Sequence, residues 1–319
     1  VERKFAGGGA VLIFTIDEGP VFRFGRTVVL GNIDTRHRAI ERELVYREGV
    51  PYDNTLLMRT RQRLYRLNLF SDVEMRALPS YDETIDVAIK VRETEAGSVE
   101  FGLGYGEYEK YRGFFELSYR NLFGMNRQAS FRTEMSSLHR RYILNYNEPW
   151  FIGRHMPIRF LLMREERTEK NIDTGEIRFR LKRHTASTGV QKMLGERARV
   201  DLFYEFSLTE TYDVMPDVIL SREDTGTLAV SGIIPSISYD SRDNPFDPSR
   251  GIFAGISLKA ASGLLFSETD FLKFILHGSV YRRPIRFVTA ALSLKSGVAE
   301  GLRDTRELPL VERFFLGGR

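Results

Sequence analysis

The chain has 319 residues, with 47 Lys and Arg against 43 Asp and Glu, a length that accommodates one β-rich domain together with a smaller second domain. It contains no cysteine, which excludes disulfides, thiolate metal sites and cysteine nucleophiles, and suits passage through an oxidising compartment. The small basic excess is spread along the chain, so it does not indicate nucleic-acid binding. No apolar run is long enough for a transmembrane helix and no signal-peptide pattern follows Val1, so we expect a mature or truncated product.

The first part of the sequence predicts a small α+β domain. Val11–Asp17 is an apolar run typical of a short buried strand, and it ends at the turn Glu18-Gly19-Pro20. Thr35 is the expected N-cap of a first amphipathic helix, and Asp53 or Asn54 that of a second. The elements expected from residue 21 are a strand over 21–30, a helix over 35–46, a helix that carries Leu57, Leu64 and Leu67, and strands over 70–78 and 84–92. Two helices on one face of a three-stranded sheet form such a domain.

After Glu95 the sequence carries only the two-residue period of β-strands. The pattern predicts about eleven strands, over 99–107, 112–120, 127–136, 140–148, 157–167, 176–193, 199–211, 228–242, 252–262, 270–281 and 286–297. Globular strands have about five or six residues, whereas a tilted strand that crosses a bilayer needs about 9–11. The strands are charged on one face and apolar on the other, with aromatic residues such as Trp150 near their ends. These features favour a transmembrane antiparallel barrel over a soluble sandwich.

The connections between the predicted strands alternate in character. Connections rich in Gly, Pro and Asn, such as 121–126 and 243–251, alternate with polar, charge-rich segments such as 165–176 and 209–227. Short turns on one side and longer loops on the other are typical of outer-membrane barrels. The pattern predicts that the small domain lies on the short-turn, periplasmic side.

Several motifs in the first part resemble a polypeptide-transport-associated (POTRA) domain. They are Val29-Leu-Gly-Asn32, two basic helices, Asn68-Leu-Phe-Ser-Asp-Val73 and a final alternating strand that ends at Glu93. The run Val11–Pro20 is similar to the last strand of a POTRA domain. The resemblance implies the end of one POTRA domain in residues 1–20 and a whole one, ordered strand-helix-helix-strand-strand, in residues 21–95.

The second part resembles the BamA/TamA-type outer-membrane assembly factors. The motifs are Gly102-Leu-Gly-Tyr-Gly106, Asn121-Leu-Phe-Gly124, Asn145-Tyr-Asn-Glu-Pro-Trp-Phe151, Asp240-Ser-Arg-Asp-Asn-Pro-Phe-Asp-Pro-Ser-Arg-Gly251 and Glu312-Arg-Phe-Phe-Leu-Gly-Gly318. The last motif is similar to the start of the family's sixth extracellular loop. That family has a sixteen-stranded barrel, and its loop continues into a Val/Ile-Arg-Gly-Phe/Tyr motif that this chain does not reach. We therefore expect residues 96–319 to be the N-terminal two-thirds of a barrel, truncated within that loop.

The resemblance implies a factor in the bacterial outer membrane whose POTRA domain lies in the periplasm. Such a factor folds and inserts client β-barrel proteins by β-augmentation on POTRA edges and through a lateral seam between the first and last barrel strands. The expected partners are unfolded outer-membrane protein clients, periplasmic chaperones or accessory assembly proteins, and outer-membrane lipid, but no nucleic acid. The alternative is a two-partner secretion-type polypeptide export channel of the same superfamily.

Three groups of residues are the candidate functional sites. The lateral gate in the first barrel strand comprises Phe101, Gly102, Leu103, Gly104, Tyr105 and Gly106, and the sixth-loop anchor comprises Arg313, Phe314, Phe315, Leu316, Gly317 and Gly318. Glycines weaken a strand, which suits a gate; room for the returning loop is an equal alternative. A turn at the periplasmic rim comprises Asp240, Arg242, Asp243, Asn244 and Pro245, which we expect to be held by salt bridges rather than to bind a cation.

No catalytic motif occurs in the sequence, and we expect neither enzymatic activity nor a cofactor. Gly102–Gly106 lies inside an alternating strand and opens no helix, which disfavours a phosphate-binding loop. The five histidines are scattered without the spacing of metal ligands. Arg178, Arg180 and Lys182 are expected to line the barrel lumen.

Overall fold

The computed structural model describes residues 2–6, 9–13, 20–79, 82–171, 174–218 and 220–314. The chain forms two compact units, one of Val1–Glu95 with Phe123–Met125 and one of Ala96–Leu122 with Asn126–Arg319. Among the described residues, neither α-helix is long and apolar enough to cross a membrane.

The first unit begins with an antiparallel hairpin of β1 (Glu2–Ala6) and β2 (Gly9–Ile13). The strand predicted from Val11 therefore lies partly in β2, while the rest of that run, residues 14–19, lies outside the described residues.

A three-stranded sheet with two helices follows, as the sequence predicted. Its elements are β3 (Arg23–Leu30), α1 (His37–Glu41), α2 (Asn54–Arg66), β4 (Phe70–Pro79) and β5 (Thr84–Glu93). The central strand β5 is parallel to β3 and antiparallel to β4. Ile40 from α1 and Leu64 from α2 are fully buried against Phe24, Val73 and Ile89 of the sheet. Burial of these side chains is the main force that holds the helices on the sheet.

The predicted start and length of the first helix are wrong. Helix α1 has five residues, its N-cap position is Arg36, and that side chain makes no capping hydrogen bond. The backbone N–H groups of Ile33, Asp34 and Thr35 instead donate to the carboxylate of Glu93 at 3.1, 2.9 and 2.7 Å. Burial opposes ionisation of Glu93, but these hydrogen bonds together outweigh it and lower the pKa of its carboxyl.

The N-terminus of α2 agrees with one of the two predicted caps. The Asp53 side chain accepts a hydrogen bond from the Thr55 N–H at 2.7 Å, so Asp53 and not Asn54 is the N-cap. This bond satisfies one of the backbone donors that a helix leaves free at its first turn.

The second unit is an eleven-stranded antiparallel sheet in which every strand pairs with its neighbours in sequence. The strands are β6 (Gly97–Gly106), β7 (Lys110–Leu122), β8 (Arg127–Ser136), β9 (His139–Glu148), β10 (Ile158–Lys170), β11 (Ile177–Leu194), β12 (Ala198–Tyr212), β13 (Gly226–Asp240), β14 (Gly251–Ala261), β15 (Phe271–Ile285) and β16 (Val288–Gly301). The eleven predicted strands correspond to these one for one. Within the described residues, β6 and β16 are the two edges of the sheet.

The two faces of this sheet differ sharply in polarity. One face, here called the outer face, exposes large apolar side chains on nearly every strand, including Leu103 on β6, Leu162 on β10 and Leu292 on β16. The opposite, inner face carries charged side chains such as Glu116 and Lys259. An apolar face toward solvent and a polar face inward are the pattern of a barrel that spans a membrane.

The prediction that Arg178, Arg180 and Lys182 line the lumen is wrong. Lys182 lies opposite Glu166, and four residues further along β11 Ala186 lies opposite the outward-facing Leu162. All three basic residues therefore share the outer face. Strand β11 has 18 residues, more than the roughly 9–11 that cross a bilayer, so its outer face becomes polar beyond the apolar band.

The predicted difference in connection length between the two edges is also not observed. The edge at which β6 begins, here called the near rim, has the connections 123–126, 149–157, 195–197, 241–250 and 286–287. The opposite edge has connections from 137–138, the shortest, to 213–225, the longest. Long and short connections therefore occur on both edges, and length does not identify the sides. Residues 94–96 connect β5 to β6, so the chain reaches the sheet at the near rim.

Candidate functional site

The first barrel strand, β6, has glycines on its inner face and large apolar residues on its outer face. Gly102 lies opposite Phe114 of β7, and a β-carbon at Gly102 would collide with the Phe114 ring. Gly106 faces open space. On the outer face Leu103 is 91% exposed and Phe101 is 77% exposed. The glycine at position 102 thus admits an aromatic ring from the neighbouring strand, a close approach that only glycine allows.

Strands β7 to β10 are joined on their inner face by a continuous chain of ion pairs, here called the ion-pair ladder. Its members are Glu116, Arg132, Glu134, Arg141, Glu165 and His139, with successive contacts of 2.9, 2.7, 3.3, 2.7 and 2.7 Å. The Arg132 guanidinium also lies 4.5 Å from the centre of the Phe114 ring. Arg132, Glu134 and Arg141 each contact opposite charges on both sides. Glu165 contacts Arg141 and the imidazole of His139, so the ladder links four strands.

The ladder does not extend to β6. Among the described residues no ion pair joins β6 to β7, and the side-chain hydrogen bond between the two strands links Ser98 and Ser118 at 2.7 Å. Strand β6 is therefore held by backbone hydrogen bonds, by the packing of Phe114 over Gly102 and by the edge-to-face contact of the Tyr105 and Tyr111 rings, whose centres lie 5.3 Å apart.

The segment after β16 returns to the inner face of the sheet, where Glu312 is 4% exposed. Its carboxylate accepts from Lys259 of β14 at 2.5 Å and from Lys273 of β15 at 3.2 Å. Arg183 of β11 lies 3.7 Å away, and Glu205 of β12 pairs with Lys259 at 2.9 Å. Four strands thus contribute charges to one buried site, here called the Glu312 cluster.

Two neighbours of Glu312 reinforce this return. The Arg313 guanidinium contacts Asp224 at 3.0 Å, and Asp224 also accepts from the Leu310 N–H at 2.5 Å. The Phe314 ring occupies the space beside Gly297 of β16, where a β-carbon would collide with it. The other predicted anchor residues, Phe315, Leu316, Gly317 and Gly318, lie outside the described residues.

The predicted rim turn lies in the near-rim connection between β13 and β14. Arg242 contacts Asp240 through two nitrogens at 2.9 and 2.7 Å and donates to the Pro245 carbonyl at 3.2 Å. Asp243 accepts from the Ser249 hydroxyl and from the N–H groups of Ser249, Arg250 and Asn244, which lowers the pKa of its carboxyl. These bonds stay within the turn.

Sequence reasoning missed the ion-pair ladder and the Glu312 cluster. The sequence signal for the ladder is charge on alternate residues of a strand, such as Arg132 and Glu134 of β8. Which residues of the neighbouring strands lie beside them depends on the register of strand pairing, which the sequence does not reveal. The Glu312 cluster joins residues more than a hundred positions apart, such as Arg183 and Glu312, and sequence spacing gives no sign of it.

Comparison with known proteins identifies the family. Residues 121–319 match the Omp85 superfamily domain, and residues 22–94 match the POTRA model, described as a surface antigen variable number repeat. The chain belongs to the Omp85 superfamily. Together with the apolar outer face, this places the Omp85 sheet in the bacterial outer membrane and the POTRA domain in the periplasm, so the near rim is the periplasmic rim.

Curated relatives of this Omp85 chain carry the name outer membrane protein assembly factor BamA. The protein from Nitratidesulfovibrio vulgaris is 25% identical over 303 residues, which cover 92% of this chain and 36% of the relative. The protein from Neisseria meningitidis is 23% identical over 325 residues, which cover 96% and 40% respectively. The chain thus spans about two fifths or less of the length of these relatives.

Solved structures share the fold. BamA from Haemophilus ducreyi lacking POTRA domains 1-3 superposes with a TM-score of 0.77 at 18% identity, over 99% of this Omp85 chain and 63% of that one. CdiB from Escherichia coli gives a TM-score of 0.60 at 12% identity, over 87% and 55%. The prediction of a barrel preceded by a POTRA domain is confirmed.

Proposed function

We propose that this Omp85 chain is part of an outer-membrane protein assembly factor that folds and inserts client β-barrel proteins. The names of its curated relatives support this function. The structural observation that carries it is the contrast between β6, for which the described residues show no ion pair to its neighbour, and the ladder that joins β7 to β10. The ladder fixes β7 to β10 relative to one another, whereas β6 can exchange its strand partner.

In this proposal the segment Phe101–Gly106 is the lateral gate. When the seam beside the first barrel strand opens, β6 presents unpaired backbone donors and acceptors, which cannot stay unsatisfied in hydrocarbon. A client strand that adds to β6 satisfies them by β-augmentation. The inner-face glycines lower the cost of bending β6 away from β7, because they carry no side chains that must repack.

The POTRA domain supplies a second surface for the same interaction. Among the described residues β4 pairs with β5 alone and so has a free edge. The outer edge of β3 is partly covered, because the Phe24 N–H donates to the Val50 carbonyl at 2.9 Å and the Gly49 N–H donates to the Phe24 carbonyl at 2.8 Å, so β3 has a free edge only beyond that point. Unfolded outer-membrane protein clients, delivered by periplasmic chaperones or accessory assembly proteins, are the partners that such edges suit.

The segment from Glu312 to Gly318 anchors the sixth loop. Its support is the Glu312 cluster together with the Arg313–Asp224 pair, which hold the loop against strands β11 to β15. The turn from Asp240 to Pro245 has the simpler role of closing the β13–β14 hairpin at the rim.

Crosslinking to a stalled client tests the gate. A single cysteine replaces Leu103 on β6 in the full-length protein, and Phe131→Cys on β8, on the same outer face but inside the sheet, is the matched control. We expect client crosslinks from L103C and not from F131C. Equal crosslinking of both would contradict a gate at β6.

Depletion of the full-length protein separates the two candidate functions. Loss of many outer-membrane barrels is the result expected of an assembly factor. Loss of one secreted polypeptide, with other barrels at normal levels, would instead support the two-partner secretion-type export channel.

A further inference from the structure

The hairpin of β15 and β16 is the most one-sidedly charged part of the barrel. Residues 271–299 contain five basic side chains and no Asp or Glu. Lys273 is neutralised by Glu312. The three arginines at the near-rim end, Arg282, Arg283 and Arg286, are exposed, and in the part of the chain that the structure describes none of them forms an ion pair.

The same end of the hairpin exposes apolar side chains. Phe287 is 91% exposed and Ile285 is 65% exposed. Arg282 follows Val280 on the outer face and lies opposite Ala290. The row of lipid-facing side chains on β15 is therefore continued by the Arg282 guanidinium. The hairpin tip, residues 282–287, thus combines an apolar surface and a cationic surface at the point where the apolar band of the sheet ends.

We propose that this hairpin tip binds the phosphate of an anionic phospholipid in the periplasm-facing leaflet of the membrane. Guanidinium groups pair with phosphate oxygens through two parallel hydrogen bonds, and Arg282 on the outer face together with Arg286 in the turn favours a lipid that carries net negative charge. Arg283 lies toward the inner face, where it donates to the Thr289 hydroxyl at 3.3 Å. Phe287 and Ile285 contact the acyl region next to the headgroup. The inference rests on the membrane placement of the sheet and does not require the assembly activity.

Other near-rim connections combine an exposed apolar residue with a single arginine that forms no ion pair among the described residues. Ile152 lies beside Arg154 in this way, and Phe246 lies in the same connection as Arg250. Arg242, which is also in that connection, is neutralised by Asp240 at 2.7 Å. The β15–β16 tip differs because two such arginines lie within five residues of each other beside exposed apolar side chains, which favours anionic headgroups.

Native mass spectrometry of the full-length protein tests the proposal. The protein is held in mixed micelles with equal amounts of phosphatidylglycerol and phosphatidylcholine, and the retained lipids are counted. The test variant is R282Q/R286Q. The matched control is R154Q/R250Q, which removes the same charge from two other near-rim connections where each arginine is exposed. Circular dichroism verifies that both variants fold.

We expect the wild type and the control to retain phosphatidylglycerol in preference to phosphatidylcholine, and the tip variant to lose the preference. Each arginine near an anionic surface contributes roughly a fivefold change in binding. Equal loss in both variants, or a preference kept by the tip variant, would overturn the proposal. So would displacement of the lipid by millimolar glycerol 3-phosphate, because the site would then take a soluble phosphate. None of these results depends on whether depletion affects client barrels.

Discussion

Lys259 of β14 and Glu312 of the returning loop meet at 2.5 Å between Nζ and Oε1, and both side chains are buried. The returning loop therefore places the Glu312 carboxylate beside Lys273 and Arg183 as well. The inner face of the sheet contributes more positive than negative charge to the Glu312 cluster. A buried charge that loses its partner is strongly destabilised, so this pair controls whether the loop stays inside.

Substitution of Glu312 by Gln should release the loop. Lys273 loses its pairing with Glu312 and Lys259 keeps Glu205 at 2.9 Å, so the cost is about 1.5–3 kcal/mol, the range for hydrogen bonds to charged groups. Because the chain has no cysteine, F314C can report loop exposure through its labelling rate with a maleimide. We expect a rise of at least roughly tenfold in E312Q. Glu307→Gln is the control, since Glu307 is exposed and pairs with Arg313 at 3.2 Å. Similar rates in both variants would contradict an anchor at Glu312.

Enlargement of Gly102 should impair the gate, whereas enlargement of Gly106 should not. A valine at 102 displaces the Phe114 ring, while one at 106 meets open space. We expect G102V to destabilise the β6–β7 pairing by about 1–3 kcal/mol, the usual range for overpacking, and to slow insertion of a client barrel into liposomes. Phe114→Ala should rescue G102V because it removes the ring. Failure of that rescue would mean that the steric account of Gly102 is wrong.

Removal of the central arginine of the ladder should loosen the sheet over β7 to β10. Arg141 contacts both Glu134 and Glu165, so R141Q leaves two carboxylates with one partner fewer. We expect a loss of about 1–3 kcal/mol in urea unfolding. The control is Arg167→Gln on the same strand as Glu165, because Arg167 pairs with Glu169 on its own strand at 2.5 Å and bridges no neighbouring strand in the described part of the chain, a pair of the kind that contributes about 0–1 kcal/mol. Equal effects would mean that the ladder acts as separate surface pairs.

Stability of the POTRA domain should fall in acid through Glu93. Hydrogen bonds from Asp34, Thr35 and Ile33 lower the pKa of this carboxyl in the folded state despite its burial. Its contribution is therefore complete above the unfolded-state pKa of about 4.3 and is lost as the pH falls through the lower folded-state value. Amide exchange of residues 33–35, measured relative to the intrinsic rate of an unfolded peptide at the same pH, should accelerate over that window in the wild type. In E93Q it should be fast at every pH, while Glu48→Gln, at an exposed site, should behave as the wild type.

The sequence predicted the strands well and the side-chain partners poorly, for a physical reason. Alternation in β12 depends on neighbours two residues apart, so the predicted range 199–211 agrees closely with Ala198–Tyr212. It reveals two faces but not which one is inward, and Arg178, Arg180 and Lys182 were therefore assigned to the wrong face. The start of α1 depends on Glu93, far along the chain, so local capping rules pointed to Thr35. The Glu312 cluster could not be predicted, because its residues come together only when four strands are paired in the correct register.

The Glu312 cluster therefore depends on correct strand register. A slip of one residue in a β-strand turns all of its side chains to the opposite face. If β14 or β15 paired out of register, Lys259 or Lys273 would point to lipid, and Glu312 would keep only part of its set of cations. The complete cluster can therefore form only on a sheet whose strands are correctly aligned, so the docked loop reports the register of the strands beneath it.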